Sequence, residues 1–342
     1  MKTADNAKPL VRVLLAAHGE AETAGLVENF RVSWITLKHA AEVMRLPAPL
    51  RLLVCTFAAS RKRLTGGTRS PHNENTRRQV AALQAQLDHD SGAHYCVEPI
   101  FASTPPYLDE QLCPPDNVDH QIVLSMIPTD SRLSCGLICQ AQMRLATRDS
   151  ARITVMARLW EAQDLIAIHC AHIIEHFPSI KSEHSSCLLL VLHGTVVADK
   201  NGQPPDFHAG VEEKRIYGDA LKAELLAMPD RRWNRVEIAY LNHGVGGQWS
   251  SPTLNERLNQ LAAEGIDSVV AYACEHLVDG GETINLPNSL KASSIPETYS
   301  LPCLNDAPQF IDFLADLIGK ALAAPESNFC CDSCPLGGKK TG

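Results

Sequence analysis

Residues 188–199 read LLLVLHGTVVAD, and about half the chain earlier residues 13–23 read VLLAAHGEAET. In each, a short Val/Leu-rich run stops at a His-Gly pair, His193-Gly194 in one and His18-Gly19 in the other. A short continuous apolar run with glycine at its end predicts a strand buried on both faces, the kind found in parallel sheets covered by helices. Working outward, β-rich segments at Leu50–Phe57, His94–Phe101 and Gln121–Ile127 follow the first run (Val11–Ala17). Arg235–Leu241, Asp267–Ala273 and Tyr299–Leu304 follow the second (Cys187–Leu192). Amphipathic stretches lie between them. Leu26, Phe30, Trp34, Leu37, Ala41 and Met44 recur at helical spacing. Thr253-Leu254-Asn255-Glu256 is a capping box ahead of Leu254, Leu258 and Leu261, closed by Gly265. Asp306–Leu322, with Phe310, Phe313, Leu314, Leu317 and Leu322, is one more helix. Strands that alternate with helices form βαβ units. The sequence therefore predicts an α/β protein of two similar Rossmann-like domains, residues 1–150 and 151–305, each a four-stranded parallel sheet flanked by helices. Residues 306–342 form a closing helix and a Cys-rich tail.

Composition agrees and narrows the partner. A chain of 342 residues with 45% hydrophobic content holds two domains of about 150 residues, each with its own core. Acidic residues outnumber basic ones 39 to 31, and the Lys and Arg residues are scattered, which excludes the basic footprint of a nucleic-acid binder. A small-molecule partner is expected. The longest purely apolar run, Cys187–Leu192, is far short of the ~20 residues a membrane helix needs, and Met1–Pro9 lacks the apolar core of a signal peptide. The expectation is a cytoplasmic protein, at most peripheral to a membrane. In that compartment the 12 cysteines are read first as metal ligands rather than as disulfides.

Open parallel sheets bind ligands beyond the carboxyl ends of their strands, so a His at that point in each half aims at a cleft between the domains. Either His alone could be a strand-end residue bonded to the backbone; the pair favours a site. The loop CEHLVDGGETINLPN after the Asp267–Ala273 strand adds Glu275, His276, Asp279 and Glu282, with Gly280-Gly281 allowing a tight turn. A third element, LNHGVGGQWSSP, offers glycines for close backbone approach and Trp249 as a flat apolar surface. Histidine, carboxylates and an aromatic wall suit binding a divalent metal or moving protons on a flat, apolar substrate.

At these residues the sequence resembles the ferrochelatase family, which inserts Fe²⁺ into a porphyrin. LLLVLHG resembles the segment carrying the family's active-site His, DGGET its acidic segment, QWSSP its "W-L-x-P", and TGGTRSPHNENTRRQ its "GG-SP-x3-T-x2-Q". LNDAPQFIDFLADLI is similar to its closing "LN-x3-F-x3-L-x2-L". These matches run in order over roughly residues 10 to 335. The resemblance implies catalytic roles for His193, Glu282 and Asp279, with His193 and Glu282 also meeting the metal and Trp249 packing near the ring; the cleft-facing positions of His18 and Asn242 make these two further substrate-binding candidates. It implies protoporphyrin IX or coproporphyrin III and ferrous iron as partners, and release of two protons in haem biosynthesis. The strand-end His18-Gly19 also resembles the smaller cobalt and sirohydrochlorin chelatases, so that activity is the alternative, together with a non-catalytic tetrapyrrole-binding protein on the same fold.

The tail PESNFCCDSCPLGGKKTG brings Cys330, Cys331 and Cys334 together among small and polar residues, where they are good soft-metal ligands. Some ferrochelatases hold a [2Fe–2S] cluster on such a C-terminal group plus one distant Cys. IPTDSRLSCGLIC resembles that distant segment, so Cys135 is the implied fourth ligand, with Cys139 as the fallback and Zn²⁺ as the alternative occupant.

Overall fold

The structure is a computed structural model that describes residues 8–44, 47–64, 69–89, 92–181, 185–199, 201–243 and 247–323. In chain order the elements are β1 (Leu10–Ala17), α1 (Leu26–Met44), α2 (Ala48–Leu64), α3 (His72–Leu87), β2 (His94–Phe101), α4 (Leu108–Gln111), β3 (His120–Ser125), α5 (Cys135–Gln142), α6 (Thr147–Ser150) and β4 (Ile153–Met156). There follow α7 (Gln163–His176), β5 (Ser186–His193), β6 (Val196–Ala198), α8 (Val211–Ala227), β7 (Arg235–Leu241), β8 (Gln248–Trp249), α9 (Leu254–Ala263), β9 (Ser268–Tyr272), α10 (Leu286–Lys291), β10 (Glu297–Ser300) and α11 (Pro308–Ala323).

Two four-stranded sheets result, in the orders β2-β1-β3-β4 and β10-β9-β5-β7, and every pairing within them is parallel. A small antiparallel pair, β6-β8, stands apart. The α/β reading of two parallel sheets flanked by helices holds. Each His-Gly strand is internal to its sheet, β1 between β2 and β3, and β5 between β9 and β7. That position explains their composition: Leu188 to Leu192 are fully buried, as a strand covered on both faces and both edges requires.

Two strand expectations are corrected. Leu50–Phe57 is not a strand but part of α2, and the fourth strand of the first sheet is Ile153–Met156, so that sheet reaches past residue 150. A short apolar run reads alike for a buried strand and a helix, and in α2 only Cys55 and Ala59, one helical turn apart, are buried. The last strand likewise lies earlier than Tyr299–Leu304, at Glu297–Ser300. The capping box forms as expected: Thr253 Oγ1 accepts from Glu256 N (3.2 Å), and Glu256 Oε2 accepts from Thr253 N (2.8 Å).

The halves are packed directly on one another. Gln79 on α3 donates to the carbonyls of Leu277 (3.2 Å) and Asn305 (2.8 Å), and α11 packs on both α3 and α7. Under the second sheet, buried His169 lies between two tyrosines, Nδ1 at 2.6 Å from Tyr272 Oη and Nε2 at 2.6 Å from Tyr217 Oη. Tyr217 Oη–H is spent on Cys274 O (3.2 Å), so it accepts from Nε2–H, and Tyr272 donates to Nδ1. The neutral imidazole lets Nε2–H and the Tyr272 hydroxyl proton each find an acceptor, and burial, with His172 nearby, pushes its pKa down to about 3. Because the unfolded chain takes up this proton near pH 6.5 and the folded one does not, stability contributed here is complete above pH 6.5. It is lost at roughly 1 kcal/mol per pH unit as pH falls toward 3. Urea midpoints measured at pH 7 and pH 4.5 should show a smaller acid loss in His169→Gln than in the parent; equal losses would contradict this assignment.

Candidate functional site

Strand β5 delivers His193 to the carboxyl edge of its sheet, beside the end of β7 at Leu241. The next residue has to be glycine. A Cβ on Gly194 would stand 1.8 Å from Asn242 Oδ1 and 2.7 Å from Leu241 O, and Gly194 N already donates to that carbonyl at 2.7 Å. In the other half, Gly19 sits at φ +80 with no room for a Cβ beside Thr104 and Phe101. In both His-Gly pairs the glycine is therefore required by its surroundings, and the His before it stands at the strand end.

His193 Nδ1 is 2.7 Å from the Gly194 carbonyl, which fixes the proton on Nδ1 and leaves the Nε2 lone pair facing outward. It faces His243 Nε2 at 3.1 Å and Glu282 Oε1 at 3.6 Å, while His243 Nε2 lies 3.2 Å from the same oxygen. These three ligand atoms lie within 4.8 Å of one another, the only such group of metal-ligating side chains among the described residues. The side chains are 38%, 53% and 32% exposed, so an incoming cation can reach the point where they converge. His276 Nε2 holds the other Glu282 oxygen at 3.1 Å, and Trp249 sets its ring edge-on to His243 at 5.7 Å between centroids.

The electrostatics follow from these contacts. Burial holds Glu282 up, but hydrogen bonds from His243 and His276 and the charge of the surrounding imidazoles outweigh it and keep the carboxyl well below its ordinary range. The bond to Glu282 raises His243. His276, lowered by burial, is raised overall by the same carboxylate. His193 goes the other way, pushed down to about 4 by burial, with the ammonium of Lys214 opposing the pull of Glu282. The site thus presents a neutral imidazole, an ionised carboxylate and a polarisable pair of flanking histidines, a donor set suited to a borderline divalent cation.

Below the triad lies a buried ion pair. Lys214 on α8 contacts Glu275, whose Oε1 also accepts from Thr129 and whose Oε2 accepts from His193 N at 2.9 Å. Four segments, from both halves, meet at this one carboxylate.

Of the residues expected from sequence, the structure brings together His193, Glu282 and Trp249. His18 faces the same cleft from the opposite half, its Nε2 3.5 Å from Thr36 Oγ1, and burial lowers its pKa against the pull of Glu20. Asp279 does not join the triad: Oδ2 accepts from Asn305 Nδ2 (2.8 Å) and Oδ1 from Cys303 N (3.3 Å). Asn242 holds its own loop, donating to Ser250 O at 2.8 Å. Cys135 is buried at the start of α5 with its thiol directed at Ser131 O (3.8 Å), an arrangement for a protonated sulfur. Cys330, Cys331 and Cys334 lie outside the described residues. Sequence reasoning did not single out His243, Glu20, His72 or Lys214. For His243 a signal existed, since it sits two residues past the strand that pairs with β5.

On the N-terminal side of the cleft a cavity of about 730 Å³ is lined by Leu26, Val27, Arg31, Arg63, Ser103 and Tyr107. It also touches Asn73, which hydrogen-bonds Glu20. Its volume is that of a small-molecule site, and two arginines, Arg31 and Arg63, are among its lining residues.

Two parallel α/β sheets, with a histidine–carboxylate group at a strand end of the second, frame the cleft between the halves. The chain belongs to the Ferrochelatase family, whose sequence profile it matches over residues 11–322. A Wolbachia ferrochelatase from the Drosophila simulans endosymbiont is 25% identical over 301 residues, 82% of this chain and 90% of that one. The coproporphyrin III ferrochelatase of Propionibacterium freudenreichii is 26% identical over 67% of this chain and 70% of that one. The match to the ferrochelatase of Opitutus terrae, 28% identical, spans 44% of this chain and 43% of that one. Among solved structures, CbiX, described as the terminal enzyme of siroheme biosynthesis in denitrifying bacteria, aligns over 91% of this chain and 99% of its own at 15% identity and a TM-score of 0.49.

Proposed function

We propose that the protein is a chelatase that inserts a divalent metal, Fe²⁺, into a porphyrin (protoporphyrin IX or coproporphyrin III) seated in the cleft. The observation that carries this reading is the convergence of His193 Nε2, His243 Nε2 and Glu282 Oε1 on one accessible point. Insertion breaks two pyrrole N–H bonds, releases two protons and forms the metal–nitrogen bonds, so the site has to deliver a cation and accept protons at one place. His193 is suited to accept a pyrrole proton because its Nε2 is unprotonated and its ring is held neutral. Glu282 and His243 present the cation to the ring. In this reading the 730 Å³ cavity would take part of the macrocycle, and its lining residues Arg31 and Arg63 are the candidates to pair with the ring's carboxylates.

The third ligand distinguishes metals. A second imidazole favours later first-row ions over iron, which supports the cobalt-type alternative as a specific second reading. Turnover of Fe²⁺, Co²⁺ and Zn²⁺ with protoporphyrin IX, coproporphyrin III and sirohydrochlorin tests both. His243→Ala should lower Co²⁺ and Zn²⁺ insertion about 10- to 100-fold, as loss of a metal-orienting group commonly does. Spectral shifts of bound porphyrin without any product would leave only the non-catalytic tetrapyrrole-binding reading.

The tail cluster is proposed on the same footing. Cys135, Cys330, Cys331 and Cys334 would hold a [2Fe–2S] cluster, or Zn²⁺ in its place, tying the tail to the first half. The thiol of Cys135 would have to give up its proton and its bond to Ser131 to do so. Protein purified anaerobically should carry iron and acid-labile sulfide with visible absorption, all lost in Cys135→Ser. Colourless protein containing zinc would establish the alternative occupant.

No described helix is long and apolar enough to cross a membrane. Peripheral association is supported by α2, which exposes Leu50, Leu53, Val54, Phe57 and Leu64 along its length and ends in Arg61, Lys62 and Arg63.

A further inference from the structure

The turn that carries Glu282 into the triad is held from the opposite half of the molecule. Glu20, next after the first His-Gly pair, reaches across the cleft and accepts a hydrogen bond from Gly281 N on Oε2 at 2.8 Å. Its other oxygen lies 2.8 Å from the point where a Cβ on Gly280 would stand, and Oε2 lies 2.7 Å from the corresponding point on Gly281. His72 packs on Gly280, with Cβ and Cδ2 each 3.4 Å from the position of a Cβ there. Neither glycine is needed for a left-handed backbone. A side chain at either position would meet the end of Glu20, and at Gly280 it would also lie against His72, so the glycines leave Glu20 free to reach the turn.

Glu20 is itself fixed at both its backbone groups. Its N–H donates to Asn73 Oδ1 (2.9 Å), and its carbonyl accepts from Asn73 Nδ2 (3.0 Å). Asn73 is buried and tied further to Thr104 Oγ1 (3.1 Å) and to His72 Nδ1 (3.1 Å). A carboxylate anchored this way on β1 and α3 and bonded to the residue preceding Glu282 sets where the Glu282 side chain begins.

We propose that Glu20 is a positioning residue of the metal site: clamping the Gly280–Gly281 turn from across the cleft, it holds Glu282 in register with His193 and His243. The clamp makes the triad depend on the approach of the two halves, since one ligand is set by the first half and the other two by the second. This inference rests on the metal-site reading above, and the experiment separates the two.

The full chain is titrated with Co²⁺, followed by visible absorption and by competition with Zn²⁺. If the parent gives no saturable Co²⁺ spectrum, or Glu282→Gln binds as the parent does, the metal-site reading itself fails. Given binding that Glu282→Gln weakens, Glu20→Ala is expected to weaken Co²⁺ binding about 10- to 100-fold with an altered spectrum, the scale for lost support of a ligand. Glu20→Gln keeps an oxygen for Gly281 N–H and should stay within a few-fold of the parent. Gly280→Ala should cost a comparable factor in the parent background, because the atom that must give way is the end of Glu20. In the Glu20→Ala background it should cost little. Unchanged affinity in Glu20→Ala, or strictly additive losses in that cycle, overturns the proposal. Should Glu20→Ala fail to fold, as judged by circular dichroism, the test is Gly280→Ala and Glu20→Gln alone. Parent-like affinity in the former, or a full loss in the latter, overturns it equally.

Discussion

His193→Ala is expected to abolish metal insertion while porphyrin binding, read from the shift of the porphyrin absorption, persists. Two functions are lost with one ring. As a positioned base, Nε2 is the unprotonated nitrogen of an imidazole whose Nδ1–H is committed to the Gly194 carbonyl, and such a group is worth about 10²–10⁴-fold in rate. In the proposed metal site it stands 3.1 Å from His243 Nε2 and 3.6 Å from Glu282 Oε1, so its removal would also open the place proposed to receive the cation. The backbone is spared, because His193 N still donates to Glu275 and Gly194 N still donates to Leu241 O. The measurement is Zn²⁺ insertion followed by porphyrin fluorescence. Activity equal to the parent would remove His193 from the centre of the site.

How much of this was legible in the sequence depended on the scale of the pattern. Strands β1 and β5 were readable because an internal strand of a parallel sheet buries every side chain, so its composition carries the signal without periodicity. Strand β4 was not, since Ile153–Met156 is four residues long and offers no pattern to weigh. Helix α2 was misread for a related reason: its apolar side chains face outward, and an unburied apolar run mimics a buried strand. His193 was legible because it ends a strand, and Glu282 because it lies in the Gly-Gly loop that the β9 strand runs into. Asp279, three residues before Glu282, looked equivalent to it. The two diverge because Asn305, at φ +49 far along the chain, supplies Asp279 with both a donor and an acceptor. Lys214 and Glu20 were invisible because their meaning lies in contacts across more than 60 residues, which no local spacing encodes.

Lys214→Met should destabilise the fold by about 3–5 kcal/mol at neutral pH, the cost of stranding one member of a buried ion pair. The Lys214 and Glu275 side chains are 7% and 2% exposed, so water cannot replace the lost ammonium. In the parent, burial pushes the Glu275 carboxyl up, but Lys214 and His193, with hydrogen bonds from Lys214 and Thr129, bring it below its ordinary value. Without Lys214 the burial effect is left in command, and the folded carboxyl titrates above the unfolded one. The folded variant then holds a proton that the unfolded chain releases, so its stability is greatest below the unfolded carboxylate range and declines as pH rises toward the raised folded value. The deficit against the parent should accordingly shrink in acid, as measured by urea midpoints at pH 5 and pH 7.5. Pairing the change with Glu275→Leu should recover much of the stability, because an apolar pair of similar volume removes both charges. Metal insertion should not recover. In that double variant Thr129 Oγ1 and the backbone N–H of His193 both lose their acceptor, and the residue proposed to receive the pyrrole proton is no longer held at the end of β5. A double variant that is both stable and fully active would show that the pair serves the core alone; stability regained without activity places it beneath the chemistry.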